Sequence, residues 1–158
     1  MNFEIELTDG SLMKGELYPE IAPITVDNFV KLCNDHFYDG LIFHRVILGF
    51  MIQGGGFDEK LNHHETSPIK GEFQSNGIRN DLKHTRGVLS MARTIVKDSA
   101  SSQFFIMQAD APHLDGDYAA FGKVTEGLDV VDRIARSPRD RYDMPLKAIV
   151  IKEIRIVE

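Results

Sequence analysis

The stretch FHRVILGFMIQGG, Phe43 to Gly55, decides how the rest of the chain is read. Two apolar runs flank a tight Leu48-Gly49 turn, and short runs rich in Val, Ile and Phe form strands. Each run carries one long polar side chain, Arg45 in the first and Gln53 in the second. An unpaired guanidinium inside a core is strongly destabilising. Strand side chains alternate, so Phe43, Arg45 and Ile47 project to one side, and Met51 and Gln53 share one side of the next strand. Polar side chains on such a face are expected where that face lines a groove.

Working outward, the alternation of Phe3, Ile5 and Leu7 with polar neighbours predicts a half-buried strand. Asp9-Gly10 predicts a hairpin turn into a partner strand, Leu12 to Tyr18. The period then changes. Val26, Phe29, Val30, Cys33 and Phe37 fall at helical spacing within Pro23 to Phe37. Further strands are expected at Ile42–Ile47, Phe50–Gln53, Gly87–Ala92, Gln103–Gln108, Ala119–Val124 and Ala148–Val157. A second helix is marked by Leu128, Val131, Ile134 and Ala135. About eight strands and two helices without a βαβ rhythm predict a closed eight-stranded antiparallel β-barrel capped by two helices, because closure removes exposed edges. The polar middle, Asp58 to Asp81, is too long for a hairpin turn and is expected to be functional. Arg136 to Pro145 reads as a charged surface loop.

The 158 residues suit one domain spanning 1–158. Hydrophobic residues make up 42%, enough for a sizeable core, and the net charge of −6 argues against sequence-independent nucleic-acid binding. The single cysteine, Cys33, leaves no intrachain disulfide and no cysteine-based zinc site, and its helix-face position predicts core packing. No run of apolar residues is long enough for a membrane helix, and the start lacks the pattern of a secretory signal. A cytoplasmic location without membrane partners is the expectation.

Candidate chemistry elsewhere is thin. His63 and His64, with His84 or His113, show no metal-ligand spacing, so the histidines are expected at the surface and no metal is expected. Gly54-Gly55-Gly56 lacks the Lys and the helix start of a phosphate loop. Ser90, Ser99, Ser101 and Ser102 have no nucleophile-elbow pattern around them.

The opening stretch nevertheless resembles the signature of the cyclophilin family of peptidyl-prolyl cis-trans isomerases. GVLSMA (Gly87–Ala92), SQFFI (Ser102–Ile106), LDG (Leu114–Gly116) and FGKV (Phe121–Val124) match it in order, as does PITVDNFVKLC more loosely. The match covers nearly the whole chain and is closest to compact bacterial members. The resemblance implies a packed barrel with the substrate groove on its outside, and no cofactor. It implies Arg45, Phe50 and Gln53 as catalytic residues. Met51, Phe105 and Leu114 would complete the proline pocket with Phe50. Ala92 and Arg93 would pair with the peptide backbone, and His44, His113 and Tyr118 would border the groove. Glu72 would gate a second pocket for residues preceding proline. The implied partners are proline-containing peptides and folding proteins, with a monomer as the working form.

Three positions depart from the family pattern. His113 stands where the best-studied members carry Trp, which predicts weakened binding of cyclosporin. Tyr118 stands where many have His, and Arg93 where Asn is common; the Thr94–Ser101 segment is one residue longer. A proline-peptide binding module without catalysis is the competing reading, disfavoured because pure binding needs no cationic donor. A ligand inside the barrel is disfavoured by bulky inward residues.

Overall fold

Two antiparallel strands open the chain, as the alternation requires. In the computed structural model, which describes residues 1–158, β1 is Asn2–Leu7 and β2 is Leu12–Leu17. Phe3, Ile5 and Leu7 are all buried, and Gly10 turns the chain at a φ of 90° that disfavours a side chain. The other strands are β3 (Arg45–Ile47), β4 (Met51–Gly54), β5 (Val88–Met91), β6 (Phe104–Met107), β7 (Ala120–Glu126) and β8 (Ile151–Val157). Every pairing is antiparallel, in the order β3-β4-β6-β5-β7-β2-β1-β8.

The helices are α1 (Pro23–Asn34) and α2 (Leu128–Ala135). No side chain of its own caps α1. Glu72 does so from 47 residues away, its Oε1 accepting from the Thr25 N–H and hydroxyl, both at 2.7 Å. Glu72 is therefore a buried helix cap, not a pocket gate: a carboxylate suits the positive end of a helix. Phe29 enters the hollow of the sheet and meets the rings of Phe3, Tyr38, Phe104 and Phe121 at centroid distances of 5.2–6.4 Å. Truncating such a residue to Ala costs about 3–5 kcal/mol, because four rings lose a neighbour. Cys33 is buried, and burial pushes its thiol well above the usual range. Buried aromatic and aliphatic side chains fill the interior.

The expected closure of the barrel is corrected. The sheet curls, but no ladder joins its edge strands β3 and β8. One isolated bridge, Ile42 with Val150, spans the seam, flanked by hydrogen bonds between Gly40–Phe43 and Ile149–Ile151. On one side these residues precede β3, and on the other they lead into β8, reaching only its first residue, Ile151. Beyond Phe43 the chain faces the 137–148 loop, where the Val46 N–H reaches the Asp143 carbonyl. That loop contains Pro138 and Pro145, which have no N–H to give, and Asp143 at a φ of 65°. It cannot continue a ladder, so the barrel remains a half-barrel stitched at one end.

Candidate active site

The sheet has two apolar faces. Thirty buried residues, among them Val46, Ile52, Leu89, Phe104 and Ile106, form the main core. On the opposite face Met51, Val88, Phe105, Met107, Ala111, Leu114 and Ala120 form a second cluster, with Phe50, Ala92 and Tyr118 packed against it. The ladder register arranges the outer face in rows. Arg45 pairs with Gln53, Gln53 with Phe105, and Phe105 with Ser90. Directly opposed residues project to the same side, so Arg45, Gln53 and Phe105 stand in line across β3, β4 and β6.

That row borders a concavity of about 180 Å3 lined by Arg45, Phe50, Met51, Gln53, Ala92, Arg93, Phe105, Leu114 and Tyr118. Nine of the eleven expected site residues are thus brought together. Its size, below the ~300–1,000 Å3 of pockets for drug-sized ligands, suits one side chain. Phe50 is held by its carbonyl, which accepts from the N–H groups of Gln108 and Ala109 at 2.8 and 3.2 Å. Gln108 also accepts from the Gly49 N–H at 2.7 Å, fixing the turn. Gly49 sits at a φ of 81°, which only glycine adopts readily. Tyr118 meets Phe105 edge to face at 5.8 Å.

The charges are distributed unevenly. Arg79, Arg86, Arg133, Arg139 and Arg155 are paired with carboxylates. Arg45 is exposed and has neither a carboxylate within 4.0 Å nor a hydrogen-bonded side chain. Gln53 does not bond Arg45; its Nε2 donates to Gln103 Oε1 at 3.0 Å. Gln103 was not among the expected site residues. Its position two before Phe105 puts it on the same face, a signal of period two that the sequence carried. The Ala92 N–H donates to the Gln103 carbonyl at 3.0 Å, while the Ala92 carbonyl and Arg93 N–H have no partner within the protein.

Two expected groove residues are not among those lining the concavity: His44 faces away from it and His113 stands at its rim. His44 neighbours Arg45 and so projects to the other side of the chain. It packs on Phe57 at 4.8 Å, and Phe57 stacks on His63 at 4.9 Å. Burial, reinforced by the charges of Arg45 and His63, lowers its pKa to about 4, and its Nδ1 is buried without a partner. His113 is exposed at the rim, its ring 5.8 Å from that of Phe50. The expectation of surface histidines fails at His84, which is 1% exposed. Its Nδ1–H donates to Asp115 Oδ1 at 3.1 Å, leaving Nε2 to accept from the Ser90 hydroxyl at 2.8 Å. This reproduces the connectivity of a hydrolytic triad, but Ser90 is fully buried and no substrate carbonyl reaches it. The trio braces the concavity from behind, with His84 stacked on Phe105 at 6.1 Å.

A second concavity of about 210 Å3 adjoins the first and shares Gln53, Ala92 and Arg93 with it. A larger hollow of about 800 Å3 lies at the seam by Leu7, Ile134 and Leu146, remote from these residues. No helix is long and apolar enough to cross a membrane.

Comparison with known proteins places these features in context. The sequence model of the family "Cyclophilin type peptidyl-prolyl cis-trans isomerase/CLD" matches residues 2–156. A peptidyl-prolyl cis-trans isomerase of Acinetobacter baylyi is 52% identical over 135 residues, covering 82% of this chain and 69% of its own. Peptidyl-prolyl cis-trans isomerase B of Bacillus subtilis is 43% identical over 150 residues, covering 95% of this chain and 94% of its own. Among solved structures, a cyclophilin type peptidyl-prolyl cis-trans isomerase from Cryptosporidium parvum, crystallised in the presence of the dipeptide Ala-Pro, superposes with a TM-score of 0.84 at 30% identity, covering 100% of this chain and 99% of that one.

Proposed function

This chain belongs to the cyclophilin-type peptidyl-prolyl cis-trans isomerases, and from that membership we propose how its own residues turn a prolyl bond. The substrate is an Xaa–Pro bond in a peptide or a folding protein, in line with the dipeptide present with the Cryptosporidium relative. Rotation about a peptide bond meets a barrier of ~18–20 kcal/mol, and uncatalysed prolyl exchange takes ~10–100 s. The barrier is amide resonance, which is lost as the bond twists. The proline nitrogen then becomes pyramidal and carries a usable lone pair.

Phe50, Met51, Phe105 and Leu114 hold the pyrrolidine ring in the apolar concavity. Arg45, at the polar edge, donates to the nitrogen lone pair, a bond strong only when the amide is twisted. Stabilising the twisted state more than the planar one lowers the barrier. Arginine suits the task because its charge is permanent and its fork offers a second contact. The free Ala92 carbonyl and Arg93 N–H support pairing with an extended peptide backbone. Gln53, steadied by Gln103, presents its amide to that backbone. The mechanism asks nothing of a nucleophile, metal or cofactor.

The single observation that carries this reading is Arg45, exposed and without a carboxylate, at the edge of an apolar concavity. The test follows prolyl exchange in an Xaa-Pro peptide by NMR. Wild type accelerates exchange, whereas Arg45→Ala binds peptide but turns it over slowly. Binding without acceleration in wild type would leave only the binding-module reading. Cyclosporin binds weakly in this reading, because exposed His113 replaces an indole donor; a tight inhibition titration would overturn that. A cytoplasmic monomer completes the proposal, in line with a single buried cysteine.

A further inference from the structure

Arg93 separates the two concavities, and its setting differs from that of the paired arginines. Its guanidinium lies between the rings of Phe73 and Tyr118, 4.8 and 4.7 Å from their centroids. Nε and Nη2 both donate to the Asp117 carbonyl at 3.1 and 2.6 Å, and Nη1 donates to the Thr94 carbonyl at 3.0 Å. Three of its N–H groups are thus engaged, and two of a guanidinium's five remain. The engaged groups meet neutral carbonyls, so the charge is fixed in place but not neutralised. The second concavity is lined mainly by polar residues: of the nine only Ala92 is apolar. Its one carboxylate, Glu65, has a side chain 73% exposed and sits 3.9 Å from His63. An apolar side chain placed here would strip water from polar groups and give nothing back. A Lys or Arg would meet the fixed charge of Arg93. A carboxylate would find donors that are already oriented.

Resting on the placement of the substrate proline in the first concavity, we propose that Arg93 makes the second a subsite for a carboxylate. The side chain it takes is that of Asp or Glu two residues before the proline. Acidic sequences are then preferred substrates of a protein whose own net charge is −6. Arg93 acts as a specificity determinant, with Phe73 and Tyr118 as the clamp that holds it.

Three peptides that differ only in Glu, Gln or Lys two before the proline provide the test. In wild type, kcat/KM should favour Glu over Gln by about fivefold, the scale of a partly exposed ion pair. Lys should be the poorest of the three. The Glu:Gln ratio should fall to about one in Arg93→Gln and rise in Glu65→Gln. It should also shrink in wild type at about 0.5 M salt, a readout that needs no variant to fold. A wild-type ratio of one, or a ratio unmoved by both Arg93→Gln and salt, overturns the inference. Equal turnover of all three peptides overturns this inference alone; no turnover of any overturns the placement of the proline as well.

Discussion

The two edge strands of the sheet each carry an arginine, and they treat it in opposite ways. On β8, Arg155 lies directly opposite Glu4 in the ladder and reaches Glu4, Glu6 and Glu153 at 3.0, 2.8 and 2.8 Å. On β3, Arg45 lies opposite Gln53, an amide that turns instead to Gln103. The first cation is consumed by its own sheet and the second is left to water. A charge meant to appear at full strength beside a substrate cannot be spent on a neighbour, and surface exposure keeps the unpaired state inexpensive. The two edges therefore separate an arginine that supports the structure from one that is available for chemistry.

Removing the cation from β3 should produce the largest effect. Arg45→Ala should lower kcat/KM about 10²–10³-fold, the loss typical of one preorganised donor in a transition state. Arg45→Lys, which keeps charge without the fork, should fall between. Thermal unfolding should move little, because surface substitutions stay within about 0.5 kcal/mol. A destabilisation of core size with activity intact would break the comparison.

Making β3 resemble β8 should come next. Gln53→Glu sets a carboxylate opposite Arg45, as Glu4 stands opposite Arg155. Activity should drop about tenfold or more relative to Gln53→Ala, which loses the amide without adding a charge. The comparison of those two variants in one prolyl-exchange assay isolates the neutralising effect. Equal activities would show that the cation of Arg45 acts unhindered by its neighbour.

His44, beside Arg45 but on the other side of the chain, sharpens the contrast through pH. Its folded pKa of about 4 lies below the ordinary 6.5, chiefly through burial. Between those values the unfolded chain binds a proton that the folded chain refuses. Stability is then fully present above the unfolded pKa and is lost as pH falls towards 4. The loss should be on the order of 1–2 kcal/mol, given the partial hydration of the ring. Unfolding curves of wild type and His44→Phe across pH 4–7 check it, and parallel profiles would show that His44 protonates freely when folded.

How much of this the sequence disclosed depended on range. The β1–β2 hairpin, both helices and the Arg45–Gln53 strands are written in local period and turn chemistry, and they formed within a few residues of expectation. The family motifs placed nine of the site residues around one concavity. What escaped depends on partners distant in the chain. His84 lies in the polar stretch DLKHTRG, which carries no period, and its burial depends on Asp115, 31 residues on. The resemblance made Glu72 a gate, and nothing near it in sequence announces a helix to cap 47 residues earlier. The open seam depends on two prolines and a left-handed Asp143 acting together in space. His44 sits inside the motif, and only strand alternation separates it from Arg45.

The smallest effect is expected at the edge where the arginine is saturated. Three carboxylate partners make Arg155 look like the more important residue, yet all four side chains are at least one-fifth exposed. Ion pairs of that kind contribute below about 1 kcal/mol, because water and salt screen them. Arg155→Ala should therefore leave prolyl exchange unchanged and lower Tm only slightly. Arg155 holds the pKa of Glu6 below its ordinary value, chiefly through their hydrogen bond. A depressed carboxylate stabilises the fold above its unfolded pKa and loses that contribution as pH falls through the folded one. The Tm gap between wild type and Arg155→Ala should accordingly narrow on acidification, and again in about 1 M salt, where the screening length falls to ~3 Å. A gap that survives both would mean that Arg155 acts through the packing of its stem across Glu4 and Glu6 rather than through its charge, and the two edges would then differ in shape as well as in electrostatics.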